Sequence, residues 1–235
     1  MTEPLSWEYE LKAQKEGIIL CGTDEAGRGP LAGRVYAAAV VLDTDTREND
    51  IFKKLNDSKA LTEKRREALA PEIKKLAKSY CVAFSTAEEI DNTDILSCAL
   101  LAMRRAVDGL STDRTKLSEI TSEENFICCA GGKCITPDFL LVDGSVCRDF
   151  SLSAKAVVHG DAICPTIAAA SVLAKTERDK YCKEVLDRAY PEYGFAAHKG
   201  YGTKAHYAAV DKYGLCPEHR RSFFKKYFER KRLED

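Results

Sequence analysis

Short apolar runs alternate along the chain with longer stretches in which apolar residues recur every three or four positions, a pattern of strands interleaved with helices. Gly17–Asp24 (GIILCGTD) and Arg34–Leu42 (RVYAAAVVL) have strand length, and the second is rich in β-branched residues. Thr62–Lys78 predicts a helix that Thr62 can cap, with Leu69, Ile73 and Leu76 at helical spacing; Pro71 inside it argues for a kink or break. Tyr80–Ser85 reads as a third strand. Ile95–Leu110 carries Leu96, Leu100, Met103 and Val107 on one helical stripe. Residues 112–136 are polar and read as a loop or insertion. Phe139–Val142 and Ala154–Val158 read as strands four and five, and Pro165–Ala189 as a long helix with proline at its first position. Beyond Pro191 the chain is a helical tail rich in Tyr, Lys, Arg and His. The expectation is an α/β domain with a mixed five-stranded sheet flanked by helices and a helical C-terminal extension. Residues 1–16 form an N-terminal segment, 17–190 the main domain and 191–235 a C-terminal subdomain, split at the composition shift near Tyr190.

At 235 residues the chain has the length of one domain with a small appendage. Its hydrophobic content of 45% and net charge of −1 exclude disorder. No apolar run approaches the roughly 18 residues of a membrane span. Met1–Gly17 carries four glutamates and no apolar core, unlike a signal peptide, so a soluble cytoplasmic protein without membrane association is expected. In that reducing compartment the ten cysteines are not expected to form disulfides. Cys128, Cys129 and Cys134 lack C-x-x-C spacing and a partnering histidine pair, and read as not metal-binding. Charge is uneven: Phe195–Asp235 holds ten Lys/Arg against five Asp/Glu, leaving an acidic body with a basic tail. That asymmetry suits a polyanionic ligand held near a metal-binding centre.

The sharpest local feature is Gly22–Gly33, GTDEAGRGPLAG. Gly27, Gly29 and Ala32 formally match a dinucleotide-binding fingerprint, but that fingerprint must open a helix. Here Pro30 follows the second glycine and a strand-like segment comes next. A nicotinamide-dependent oxidoreductase is therefore a distant reading. The carboxylates say more. Asp24 and Glu25 end the first strand, Asp143 ends the fourth in LLVDG, and Asp161 follows the fifth in GDA. Singly, such acids are turns, caps or solvated charges. If the three strands are neighbours, four acids converge and repel one another unless divalent cations neutralise them. Adjacent strand residues face opposite ways, so Asp24 and Glu25 share a site only if the chain bends, which Gly22 and Gly27 can supply. Oxygen-only ligands favour Mg²⁺ or Mn²⁺, and two such ions clamp the attacking and leaving oxygens of a phosphodiester.

These segments, with NDSKAL (Asn56–Leu61), IAAASVLAKTERD (Ile167–Asp179), YGFAAHKGYGT (Tyr193–Thr203) and HRRSF (His219–Phe223), stand in an order that resembles bacterial ribonuclease HII. The resemblance runs from about Gly17 to Phe223. It implies an RNase H-like fold and a metal-dependent endonuclease that hydrolyses RNA in RNA–DNA hybrids and incises 5′ of single ribonucleotides in duplex DNA, leaving 3′-OH and 5′-phosphate. It also implies roles in ribonucleotide removal and RNA primer processing. Asp24, Glu25, Asp143 and Asp161 match the family's metal-binding, catalytic acids. Gly27, Arg28 and Gly29 match its motif for approaching the ribose 2′-OH, Tyr201 the tyrosine at the RNA–DNA junction, and Lys59 a phosphate contact.

Three departures stand out. His159 precedes Gly160 where a Lys is frequent, and reads as a neighbour of the site rather than a ligand. Glu119–Ile135 is longer and richer in cysteine than the compact bacterial pattern. Arg221–Phe228 (RSFFKKYF) ends like a sliding-clamp-binding peptide, but Pro217 and Arg220 occupy the positions that need Gln and an aliphatic residue, so no clamp-binding peptide is identified and a monomer is expected. A type III enzyme, cutting only longer RNA stretches, and a non-catalytic hybrid-binding protein remain as alternatives. Arg28 and Tyr201 favour type II over the first, and the four intact acids offer nothing to support the second.

Overall fold

The computed structural model describes residues 5–55, 61–113 and 126–234. Its centre is Val35–Leu42 (β2), buried at every position. Tyr36, Ala38, Val40 and Leu42 pack on one side, and Ala37, Ala39 and Val41 on the other, the two-residue period of a strand covered on both faces. Around it lie Leu20–Ala26 (β1), Ala77–Ser85 (β3), Ile127–Gly132 (β4), Phe139–Asp143 (β5) and Ser153–Val157 (β6), in the order β4-β3-β2-β1-β5-β6. β1 to β4 are joined by antiparallel pairings, whereas β1–β5 and β5–β6 are parallel. The mixed sheet thus has six strands where five were expected. The addition, β4, lies inside the stretch read as a loop. Its sequence ICCAGG is short and ends in glycines, so no alternation marks it.

The helices are Glu8–Lys15 (α1), Asp50–Lys54 (α2), Glu63–Leu76 (α3), Ala87–Asn92 (α4), Ile95–Leu110 (α5), Pro165–Tyr181 (α6), Lys204–Tyr213 (α7) and Arg221–Glu234 (α8), besides shorter turns. Thr62 caps α3 as its position suggested, accepting from the Arg65 N–H. Pro71 does not break this helix. It and Glu67, whose carbonyl it leaves without a helical donor, are both exposed, so water can satisfy the orphaned oxygen. α5 has the predicted bounds, with Asp94 accepting from the Leu96 and Ser97 N–H groups. The predicted 165–189 helix is α6 followed by a π-helical stretch, Cys182–Leu186, and a last turn.

α3 and α6 cover one face of the sheet and α5 the other. The first core is continuous with the tail: Tyr193, Phe195, Val210 and Phe224 belong to the same cluster as β2 and α6. The N-terminal segment is tied in as well. The buried Glu10 of α1 accepts from the Thr166 N–H (3.2 Å) and hydroxyl (2.7 Å), which caps the N-terminus of α6. No helix among the described residues is long and apolar enough to cross a membrane.

Candidate active site

Three parallel neighbours, β1, β5 and β6, end on the same edge of the sheet, where open α/β sheets place their sites. The ladder pairs Thr23 with Val142, so Asp24 and Asp143 follow it on adjacent strands. After β6 the chain turns through His159, which is exposed and left-handed (φ 56°), into a short 3-10 turn, Gly160–Ala162. The turn faces β5: the N–H groups of Gly160 (2.7 Å) and Asp161 (3.4 Å) both donate to Asp143 Oδ1. A side chain at Gly160 would meet the end of the Ile167 side chain at 2.5 Å, so Ile167 would have to shift to admit one.

Gly22 acts differently from expected. β1 does not bend there but runs to Ala26, still paired with Tyr36. A Cβ on Gly22 would lie 2.6 Å from the backbone of Thr166 and Ile167, so this glycine lets α6 approach β1 closely. α6 thereby brings the Ser171 hydroxyl to Asp24. Gly27, at φ +104°, makes the turn just beyond the strand.

Asp24 is buried, whereas Glu25 and Asp143 are half-buried and Asp161 is buried. Burial, then the charges of Glu25 and Asp143, push Asp24 well above the usual carboxylate range; the Ser171 hydrogen bond opposes this and Asp161 adds to it. Burial also raises Glu25, against the pull of Arg28, whose Nη1 lies 3.2 Å from Glu25 Oε1, and Asp143 pushes it up further. Asp143 is therefore the acid that reaches both members of the Asp24-Glu25 pair. Four carboxylates gathered at one edge, where Asp143 pushes up both Asp24 and Glu25, form an oxygen donor set of the kind that hard divalent cations occupy.

Beside them, the loop Gly27–Gly33 is held from the C-terminal helical extension. Leu31 N–H donates to Gly200 O, Gly33 N–H to Glu218 O, and Ala32 bridges His219. Arg220, fully buried, donates to the carbonyls of Gly27 (2.7 Å), Arg28 (3.2 Å), Pro30 (2.8 Å) and Gly33 (2.9 Å). Tyr201 stands against the loop, with its ring 3.5 Å from where a Cβ of Gly29 would be and 45% of its surface exposed. Arg178 of α6, also buried, lies under that ring at 5.9 Å and fills the space that a side chain on Gly27 would need.

Tyr201 is anchored by a chain of imidazoles. Cys216 N–H donates to His219 Nδ1 (2.9 Å), the two Nε2 atoms of His219 and His206 meet at 3.0 Å, and His206 Nδ1 donates to Tyr201 O (3.0 Å). Only two neutral rings satisfy this chain: His219 donates from Nε2 and His206 accepts there. Burial holds both rings down at about 4.

Arg220, Arg178, Ser171 and His206 had no role assigned from sequence, although the segments containing the first three were recognised as motifs. Lys59 lies outside the described residues.

Carboxylates grouped where parallel strands end, next to a glycine loop braced by a helical extension, define a nuclease of the RNase H-like class. The solved ribonuclease H2 from Pyrococcus horikoshii OT3 has this fold, with a TM-score of 0.63 over 86% of this chain and 92% of that one at 25% identity. Sequence narrows the class. The family model described as Ribonuclease HII matches residues 21–231. The ribonuclease HII of Laribacter hongkongensis (strain HLHK9) is 50% identical over 206 residues, 87% of this chain and 90% of the relative. That of Polaromonas sp. (strain JS666 / ATCC BAA-500) is 46% identical over 220 residues, 94% and 93% of the two. The chain belongs to the ribonuclease HII family, and is a metal-dependent endoribonuclease of that type, acting on RNA–DNA hybrids and on ribonucleotides in duplex DNA.

A tighter cluster of ligand atoms lies elsewhere. Among the described residues, Cys128, Cys129 and Glu177 bring two sulfurs and a carboxylate oxygen within 4.8 Å of one another.

Proposed function

We propose that Asp24, Glu25, Asp143 and Asp161 hold the divalent cations of the reaction, Mg²⁺ or Mn²⁺, two of them in the substrate complex, and that hydrolysis occurs 5′ of a ribonucleotide. The observation that carries this reading is the gathering of four acids at one sheet edge, where burial and acidic neighbours raise Asp24 and Glu25, a crowding that a bound cation relieves. When bound, the cations supply a water nucleophile and neutralise the developing phosphoryl charge. Ser171 and the Gly160 N–H orient Asp24 and Asp143 for that task. Gly27, Arg28 and Gly29 approach the ribose 2′-OH through the backbone, at Gly27 because Arg178 fills the space a side chain would need, while Tyr201 covers the sugar at the RNA–DNA junction. Arg28 spans both sites through its contact with Glu25. The products are 3′-OH and 5′-phosphate, as ribonucleotide removal and RNA primer processing require. Residues 191–235 contribute to nucleic-acid binding through Lys and Arg on α7 and α8, so affinity falls as salt rises. The protein works as a cytoplasmic monomer, with Lys59 a phosphate contact and no clamp-binding peptide.

The test is cleavage of an end-labelled duplex carrying one ribonucleotide, with Mg²⁺, Mn²⁺ or chelator, beside an all-RNA/DNA hybrid and Asp24→Asn. Metal-dependent incision 5′ of the lone ribonucleotide, lost in Asp24→Asn with binding retained, is the expected result. Cleavage of the hybrid alone would assign a type III-like specificity. Incision unaffected by Asp24→Asn would overturn the assignment of the acids.

A further inference from the structure

Adjacent residues of a regular strand point to opposite faces, so neighbouring cysteines should not share a site. In β4 they do. Val82 pairs with Cys129 but Ala83 with Ile127, leaving Cys128 as the extra residue of a bulge. Ile127 and Ala130 face α5, while both Cys128 and Cys129 pack on the opposite core, against α3 and α6. Waiting there is Glu177 of α6, with Oε2 3.7 Å from Cys128 Sγ and Oε1 accepting from Lys74 of α3 at 2.7 Å. Lys74 Nζ also lies 3.6 Å from Cys129 Sγ. Cys134 is not part of the group: its Sγ lies 3.0 Å from Ser111 O.

We propose that Cys128, Cys129 and Glu177 form a thiolate-rich site for a borderline-soft divalent cation, Zn²⁺ foremost, separate from the carboxylate site. Two sulfurs and a carboxylate oxygen within 4.8 Å of one another match three corners of a zinc tetrahedron. The donor set selects against Mg²⁺, which takes oxygen. Lys74 completes the charge balance: two thiolates and a carboxylate carry −3, the ammonium +1 and the cation +2. The ammonium holds Oε1 and leaves Oε2 to ligate, the outer-shell arrangement that orients a metal's carboxylate. The fourth position opens on a groove of about 410 Å³ lined by Cys128, Glu177, Arg34, Tyr36 and Tyr181, which admits water. Binding releases the thiol protons to solvent. Its consequence is structural. β4 is an edge strand, and a cation here staples it to α6, the helix that carries Ser171 to Asp24.

The test uses the full chain, reduced, stripped with chelator and supplied with excess Mg²⁺ to fill the carboxylates, then titrated with Co²⁺. One equivalent should give a thiolate-to-cobalt charge-transfer band in the near ultraviolet, displaced by stoichiometric Zn²⁺. Cys128→Ser and Cys129→Ser should each abolish it, and Asp24→Asn should leave it intact. Lys74→Met, which touches no ligand bond, should weaken Co²⁺ binding about tenfold or more, the usual effect of losing an outer-shell partner. Zn²⁺ should also slow hydrogen exchange of the β4 amides. Absence of the band in the folded parent chain, or its survival in the Cys128→Ser/Cys129→Ser double variant, would overturn the site. Neither readout depends on cleavage.

Discussion

Arg220→Met tests whether the Gly27–Gly33 loop, proposed above to approach the ribose, is shaped by one buried guanidinium. Methionine keeps the apolar stem and removes the fork. The bonds to Pro30 O and Gly33 O are buried, so those two carbonyls lose their donor without gaining water. Unpaired buried carbonyls cost about 1–3 kcal/mol each, or about 2–6 kcal/mol for the pair. The Gly27 and Arg28 carbonyls sit nearer the surface and recover solvent. Set against this is the relief of a buried charge: burial and the neighbouring Arg178 push Arg220 down to about 9. The net loss should be about 2–4 kcal/mol, since desolvation offsets part of the bonding. For a chain of this size that corresponds to a Tm about 5–15 °C lower.

Stability alone would not distinguish a positioning residue from a merely structural one. The informative assay is steady-state cleavage of the single-ribonucleotide duplex and of the hybrid, below the variant's melting range. If Arg220 sets the loop, kcat/KM on the lone ribonucleotide should fall more than on the hybrid, where successive riboses offer alternative registers. Arg220→Lys, which keeps charge but not the planar fork, should recover part of the stability and little of the discrimination. A methionine variant within about 1 kcal/mol of the parent, or one that loses both substrates equally, would refute the reasoning.

Asp24→Asn removes the charge that burial and its acidic neighbours disfavour, so it should raise the Tm of the metal-free chain while abolishing cleavage; a lower Tm would contradict the crowding of the acids. Because Asp24 and Glu25 are raised, protons compete with Mg²⁺ for them increasingly as pH falls, and calorimetry in buffers of different ionisation enthalpy should detect proton release that grows in that direction. His206 and His219 are depressed from 6.5 to about 4. The unfolded chain therefore binds more protons between those values. Their contribution, about 3 kcal/mol per ring, is present above pH 6.5 and lost as pH falls through about 4. Their ring-proton resonances should stay at neutral positions down to about pH 5, and titration of either near 6.5 would refute the proposed tautomer chain. Gly27→Ala combines φ +104° with a Cβ 2.1 Å from Arg178 Nε, and should cost at least about 2 kcal/mol in a denaturant melt.

What the sequence disclosed follows from how far each signal reaches along the chain. α5 was legible to the residue because its apolar stripe is local. The four acids were legible as lying at or just beyond strand ends, and the three strands concerned, β1, β5 and β6, are neighbours. Long-range partners were not legible. Gly22 carries no mark that distinguishes a bend from the approach of a helix almost 150 residues later. Arg220 lay in a recognised motif, yet nothing local says that its fork reaches back to Gly27. The cysteines show the same limit from the other side. Metal spacing rules assume ligands paired on one turn or knuckle, and Cys128-Cys129 fails them. A bulge, invisible in ICCAGG, turns both sulfurs to one face, and the third donor comes from α6. The same helix supplies Ser171 to Asp24, Arg178 beneath Tyr201 and Glu177 to the cysteines, with Gly22 admitting its N-terminal end. A change in how α6 lies on the sheet would therefore reach the acids, the Gly27–Gly33 loop and the thiol cluster together. Zn²⁺ bound at Glu177 should accordingly protect α6 amides as well as β4, a coupling that hydrogen exchange can resolve segment by segment.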